Sequence, residues 1–393
     1  MSKSGSVVAP LGNYITLVTR KNKNLEVTKL VGVTVEKEII TSIASGRNTN
    51  LQICLIVEFG DFVVRLMNIE MTGRLAVGLY EKADKVIVSS QYHVFKITNP
   101  LLNKHYLMMI FQKEVTELQL LYRCFGGIRG ELAWKDFVKF PIKFPSLDKQ
   151  ERIVKKYQTI TRYIELKKRI NELFEKQMTA YYHILFDNLT DYTIKNFGEF
   201  LTTIRGGRPP RGNLEQERKY FCKAGGIPWL QVGDISKRKY KFVSETADQL
   251  TPEGFKRGKC KIVPKESVIV VGAGVNKKAL GLCMISFCDF VLNTTLWGVV
   301  GNTVAGGASI SSIYIYFLIK ENISTLKRMI NSSTDRVSLD VKRFKDFEIK
   351  FPPQFLIDKF NNFCEPIFEL QKSNEQIIKR LLRMQKCWVE SLD

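Results

Sequence analysis

The chain repeats itself once, and this constrains its fold more than any other feature. Residues 137–145 read F-V-K-F-P-I-K-F-P, and residues 344–352 read F-K-D-F-E-I-K-F-P, identical at six of nine positions at an offset of 207. Upstream, Leu132 meets Leu339 at the same offset. A weaker echo pairs Gly12-Asn13-Tyr14-Ile15-Thr16 with Gly198-Glu199-Phe200-Leu201-Thr202 at an offset of 186, so the first copy lacks the 21 residues by which the offsets differ. Three matches in one order mark a tandem duplication. Whatever one half builds, the other half must build in related form.

After each K-F-P the character of the chain changes. Residues 146–186 hold no Gly and no Pro, and their apolar positions Ile153, Tyr157, Ile160, Ile164, Ile170, Phe174, Met178, Tyr181 and Leu185 fall at helical spacing. From about residue 354 onward, Phe360, Phe363, Ile367, Leu370, Asn374, Ile377, Leu381, Met384 and Trp388 alternate by threes and fours. That is a heptad seam with one polar member, Asn374, of the kind that fixes register. A helix of about 40 residues is roughly 60 Å long. Neither seam can remain in water, so the two helices are expected to pack as an antiparallel pair. The Phe-Pro before each stops the preceding strand and stiffens the helix entry.

The other two segments are rich in Gly, β-branched and aromatic residues, with strand-like runs at 51–58, 61–67, 86–90 and 268–271. The expected architecture is an α+β chain in which two mixed, largely β globules (1–143 and 187–350) alternate with two long helices (144–186 and 351–393). Related by the duplication, the halves should form a pseudo-twofold arrangement.

Charge narrows the function. The chain carries 60 Lys and Arg against 39 Asp and Glu, a formal net charge of +21. Residues 1–143 hold 19 basic and 12 acidic residues, 144–186 hold 9 and 5, 187–350 hold 26 and 16, and 351–393 hold 6 and 6. The excess therefore sits mainly on the globules, which points to a polyanionic partner, nucleic acid ahead of membrane. No apolar stretch is long enough to span a bilayer, and the first ten residues lack a signal-peptide core. Eight cysteines without a C-x-x-C pair read as reduced thiols of a cytoplasmic protein.

Catalytic signatures are missing. Val271-Gly272-Ala273-Gly274 follows a β run, but Val275-Asn276-Lys277-Lys278 stands where a dinucleotide fingerprint needs its third Gly and a helix. There is no P-loop, no N-P-P-[YF] or D-P-P-Y tetrapeptide of amino-methyltransferases, and no P-D…[DE]-x-K nuclease pattern. Cys283 and Cys288 read as buried thiols rather than metal ligands. His93, His105 and His183 have no companions at ligand or triad spacing.

Basic, Gly-rich loops carry more information. R-G-G-R-P-P-R-G at 205–212 places three arginines in a turn stiffened by Gly and Pro, able to reach phosphates or guanine edges. A solvated basic turn is the competing reading. Lys237-Arg238-Lys239-Tyr240-Lys241 is a basic cluster with an aromatic inside it, equally readable as a solvated face. In the first globule, Arg47-Asn48-Thr49-Asn50 and Gly126-Gly127-Ile128-Arg129-Gly130 are comparable loops, and Arg65 and Arg74 are either groove readers or sheet-surface charges.

These features together resemble the specificity subunits of type I restriction–modification systems, over nearly the whole chain. The second globule has the family's G-[DE]-hydrophobic start in Gly198-Glu199-Phe200, a G-x-[TP]-P turn in Gly207-Arg208-Pro209-Pro210, and a G-I-P-W-[LIV]…D-I element at 226–235. Phe144-Pro145-Ser146-Leu147-Asp148-Lys149-Gln150 and Phe351-Pro352-Pro353-Gln354 resemble the sequence that opens the family's spacer helix, the second without its Leu and E-Q pair. The first globule lacks G-I-P-W and rests on Gly12-Asn13-Tyr14, F-P-x-L-x-x-Q and the duplication.

The resemblance implies a non-catalytic DNA-recognition subunit. Globules 1–143 and 187–350 would be target recognition domains, each reading half of a bipartite asymmetric site in double-stranded DNA. The helices would set the spacing and dock two methyltransferase subunits. S-adenosylmethionine and ATP would belong to partners, the methyltransferase and motor–nuclease (restriction) subunits, with no cofactor in this chain. The candidate DNA contacts are Arg47, Asn48, Arg74 and Arg129 in the first globule, and Arg208, Arg211, Gln231, Lys237, Arg238 and Lys277 in the second. They are long polar side chains, mostly on Gly-rich loops. A helix-spaced RNA-binding or scaffold protein, and an enzyme with an unfamiliar site, are the alternatives.

Overall fold

The structure is a computed structural model that describes residues 7–42, 50–124, 131–236, 241–274, 280–302, 310–328 and 337–392. The chain divides into two compact units, 1–165 with 379–393, and 166–378.

The first unit is built on a four-stranded antiparallel sheet, ordered Ile15–Val18, His93–Ile97, Phe62–Arg65, Ala76–Leu79. The expected runs at 51–58, 61–67 and 86–90 yield the strands Leu55–Val57, Phe62–Arg65 and Val86–Val88. One face packs aromatic on aromatic: Phe62 stacks on Phe95 at 4.9 Å, and Phe137 packs against Phe95 and Phe111. The helix Lys104–Gln112 covers this core, its first turn capped by Asn103, whose side chain accepts from the N–H groups of His105 and Tyr106. Val154, Val389 and Leu392 close the same core.

In the second unit there are two five-stranded sheets. One runs Leu201–Arg205, Leu296–Gly301, Val268–Val271, Cys283–Ser286, Phe242–Val243; the other runs Phe221–Cys222, Asp248–Leu250, Ile227–Leu230, Phe290–Leu292, Ile262–Val263. The helix Ser312–Arg328 packs on the first sheet, burying Tyr314, Phe317 and Ile319 with Met178, Tyr182 and Phe360.

The duplication recurs at atomic detail. Val7–Pro10 pairs with Pro141–Phe144, Val7 opposite Phe144; Thr193–Asn196 pairs with Glu348–Phe351, Thr193 opposite Phe351. These strands are displaced by the same 186 and 207 residues as the sequence echoes. The Leu11 N–H donates to Phe140 O at 2.8 Å, and the Phe197 N–H to Phe347 O at 3.0 Å. Gly12 and Gly198 both sit where a Cβ would press on a neighbour, at 3.1 Å from Val138 Cβ and 3.2 Å from Lys345 Cβ. The shared Gly therefore marks a close approach between the opening and the closing of each copy.

Two long helices, Leu147–Phe186 and Gln354–Glu390, follow the K-F-P motifs. Within the first unit, Thr161 Oγ1 accepts from Gln385 Nε2 at 2.7 Å. Within the second, Asn171 meets Gln371 and Asn374, and Tyr181 meets Phe363. Numbers rise along one helix as they fall along the other, so the pair is antiparallel.

The expected seam needs correction. Leu370 and Met384 are 53% and 57% exposed, and Ile170 on the first helix is exposed too. Asn374 is buried as the seam requires, but Gln371, Glu375 and Gln385, outside that seam, are buried too. Each finds polar partners across the interface or on the adjoining globule, which makes a polar residue tolerable inside. A heptad count weighs only apolar spacing, so it placed Leu370 and Met384 in the seam and passed over the polar residues beside them.

Candidate nucleic-acid interface

The loop 205–212 leaves the first sheet of the second unit and lies against the second sheet. Its two glycines are required by contact. A Cβ on Gly206 would stand 2.1 Å from Asn293 O, and one on Gly207 2.7 Å from Gly258 O. The Gly207 N–H donates to Leu292 O at 2.8 Å, and Gly207 O accepts from the indole N–H of Trp229 at 3.1 Å. Trp229, from the G-I-P-W element, is fully buried on Ile227–Leu230. The tryptophan thus serves as a peg for the arginine loop, in which Pro209 is buried too.

From that anchored loop, Arg208 is exposed. Arg211 is held on three sides. Its Nε donates to Glu217 Oε1 at 2.6 Å, a terminal nitrogen donates to Asp248 Oδ2 at 3.2 Å, and the guanidinium lies 4.5 Å from the Phe221 ring centroid. Gln231, which follows Ile227–Leu230, donates from Nε2 to the same Asp248 oxygen at 3.1 Å. Lys223 Nζ reaches the other Asp248 oxygen at 2.6 Å. Burial alone would raise the Asp248 carboxyl, but the hydrogen bonds from Lys223 and Arg211 outweigh it and hold it below the usual carboxylate range. Asp234, of the D-I element, accepts from the N–H groups of Gln231 and Ala247, tying the Gln231 turn to the strand that carries Asp248.

The arrangement gathers an arginine, a lysine and a glutamine around one buried carboxylate. Such a cluster has its side chains preorganised before any ligand arrives, which is what directional hydrogen bonding to base edges or phosphates requires. Of the sequence candidates, Arg211 and Gln231 are brought together, and Arg208 stands on the same loop. Lys237, Arg238 and Lys277 lie outside the described residues. Glu217, Phe221, Lys223 and Asp248 were not singled out by sequence. Asp248 lies in an ordinary-looking A-D-Q-L stretch, and only the fold brings it beneath the loop.

In the first unit, Arg74 is exposed on the turn between the short helix Ile69–Thr72 and the strand Ala76–Leu79. Gly73, with φ of +67°, makes this turn, a left-handed conformation that Gly adopts freely. Just beyond it, Glu117 accepts from the Leu75 N–H at 2.7 Å and pairs with the buried Lys37. Arg65 ends the strand Phe62–Arg65, opposite Ala76. Arg47, Asn48 and Arg129 lie outside the described residues.

The histidines serve structure. His93 stacks on Trp134 at 5.2 Å, His105 lies 3.3 Å from Glu81, and His183 pairs with Asp187 at 3.0 Å. Burial pushes the Cys283 thiol up to about 12, so it is protonated at neutral pH. Among the described residues, no group of three or more His, Cys, Asp or Glu could hold a metal ion. No helix among them is long and apolar enough to cross a membrane.

Known proteins resemble this chain at the level of both sequence and fold. The family model described as "Type I restriction modification DNA specificity domain" matches it twice, over residues 13–176 and 189–380. The specificity subunit of the type I restriction enzyme MjaIX of Methanocaldococcus jannaschii is 20% identical over 344 residues, covering 82% of this chain and 76% of that protein. The crystal structure of the S subunit of a type I restriction–modification system from M. genitalium superimposes with a TM-score of 0.59 at 12% identity, covering 100% of this chain and 97% of that one.

Proposed function

We propose, from the premise that the chain belongs to the type I restriction–modification DNA specificity family, that it reads a bipartite, asymmetric site in double-stranded DNA and performs no chemistry itself. The observation that carries the reading is the doubled organisation. Two copies matched by one family model share a strand pair and a Gly contact, yet they carry unlike sheets, one of four strands in the first unit and two of five in the second. Two unlike readers on one chain call for a target with two unlike halves. Joining them makes the second binding event intramolecular, which turns two weak recognitions into one strong one.

The second globule reads its half-site through Arg208, Arg211, Gln231 and Lys223, and the first through the turn that carries Arg74. Arg47, Asn48, Arg129, Lys237, Arg238 and Lys277 supply further phosphate or base contacts. The long helices set the distance between the half-sites. A separation near one turn of duplex, roughly 34 Å, is within reach of helices this long.

Two methyltransferase subunits dock on the helices. Leu166, Ile170 and Leu173 support this, since all three are exposed on the first long helix, away from the side on which Asn171 meets Gln371. S-adenosylmethionine binds those partners, where adenine is methylated, and ATP binds motor–nuclease subunits that join the complex.

Capture of sheared host DNA by the chain assembled with its methyltransferase subunits, followed by sequencing, tests the reading. It predicts an enriched motif of two blocks with a fixed gap, and binding that weakens steeply with salt. A single-block motif, or RNA competing as well as duplex DNA, would contradict it and favour a helix-spaced RNA-binding protein.

A further inference from the structure

A buried ionic cluster lies in the second unit and shares no residue with the polar cluster around Asp248. The Lys241 side chain is 8% exposed. Its Nζ donates to Glu175 Oε2 on the first long helix at 2.9 Å and to Gln371 Oε1 on the second at 3.1 Å. The other Glu175 oxygen accepts from Lys320 Nζ at 2.7 Å and from Tyr316 OH at 3.0 Å, both on Ser312–Arg328. Glu375, one turn beyond Gln371, accepts the backbone N–H groups of Lys241 at 2.8 Å and Phe242 at 3.0 Å.

The position of these groups matters. Phe242–Val243 is the edge strand of its five-stranded sheet, and edge strands carry backbone donors without a strand partner. Here one helix carboxylate grips two of them in succession. Lys241 is also the last residue of the basic run 237–241 in sequence, so these bonds fix the point at which that run enters the strand Phe242–Val243. Apolar contact is present as well, with Phe242 packed 4.9 Å from Phe368, but apolar contact is not directional. Buried ion pairs add little stability over apolar packing of the same shape; a single defined geometry is what they can add.

We infer that Glu175, Lys241, Lys320, Gln371 and Glu375 are positioning residues that orient the second globule on the helix pair and so determine which half-site spacing the protein accepts. The inference rests on the recognition reading above and goes beyond it: helix length sets the coarse distance, and this cluster sets the fine alignment.

The test uses the chain assembled with its host methyltransferase subunits. Its substrates are duplexes bearing the motif read from the wild-type methylome, with the gap at native length and one base pair longer or shorter. Lys241→Met removes the central charge, and the milder Glu375→Gln weakens the grip on the edge strand without removing bulk. In both, the preference for the native gap is expected to fall about tenfold, within the range of coupling between contacting residues, while the sequence required in each half stays the same. Methylation lowered equally at all three gaps would show a merely structural cluster and overturn the inference, as would an unchanged gap preference. A wild-type complex with no gapped motif would overturn the recognition reading, and this inference with it.

Discussion

Asp248 organises the polar face of the second globule, because Arg211, Lys223 and Gln231 all donate to its carboxylate. Replacing it with Asn keeps the shape and removes the charge. Discrimination against wrong bases in one half-site should then fall by about 1–3 kcal/mol, the range of a well-placed bidentate contact. Affinities for duplexes with single substitutions in that half-site measure this; a uniform loss across all sequences would instead mean that Asp248 serves only phosphate binding or folding. Glu175 offers a second residue-scale prediction. Burial opposes its charge, but Lys241 and Lys320 outweigh burial and lower its carboxyl from the ordinary 4.5 to about 2. A carboxyl depressed in the folded state contributes stability above its unfolded pKa and loses it as pH falls through the folded one. The stability difference between wild type and Glu175→Gln should therefore be full at neutral pH, shrink below about 4.5 and vanish near 2. Denaturant unfolding at several pH values reads it. A difference that stays constant over that window would contradict the ionised cluster.

At the scale of the element, the two helix entries differ although they descend from one sequence. Gln150 is fully buried; its Nε2 donates to Leu101 O and Pro145 O, and its Oε1 accepts the Asn103 N–H. Ile357, at the equivalent offset of 207, is an ordinary apolar core residue. Gln150→Leu should cost about 2–4 kcal/mol, since it strands buried backbone groups. Thermal unfolding will show it as a lowered Tm. Across the helix pair, Asn374 donates to Asn171 Oδ1 and accepts from Lys167. Asn374→Leu alone should destabilise, and adding Asn171→Leu should recover part of the loss, as a double-mutant cycle would show. The sequence revealed the helices, their antiparallel pairing and the doubling of the entry strands, because periodicity and repetition are local signals. It did not reveal the polar seam around Gln371 and Glu375. Glu375 accepts from Lys241 and Phe242, more than 130 positions away, and Gln371 accepts from Lys241 at a separation of 130; no helical period encodes a partner at that distance. Nor did it single out Asp248 or Glu217, since neither stands in a motif or a periodic run and only the fold brings them together around Arg211. The Gly206-Gly207 loop was legible, because Gly and Pro declare tight backbone wherever they occur.

For the whole molecule, net charge, duplication and family membership agree. The +21 excess lies mainly on the globules, where a polyanion would bind, and the family match covers both copies. Exchanging residues 187–350 for the corresponding globule of a relative with a different target should change one half of the recognised motif and leave the other intact. Sequencing the methylated sites made by such a hybrid in cells would detect this; a change in both halves would mean that the globules do not read independently. The most direct measurement is modification-sensitive long-read sequencing of the host genome with the chain intact and with it deleted. The account predicts that deletion abolishes methylation at one bipartite adenine motif. An unchanged methylome, with the intact chain shown to be expressed, would contradict it.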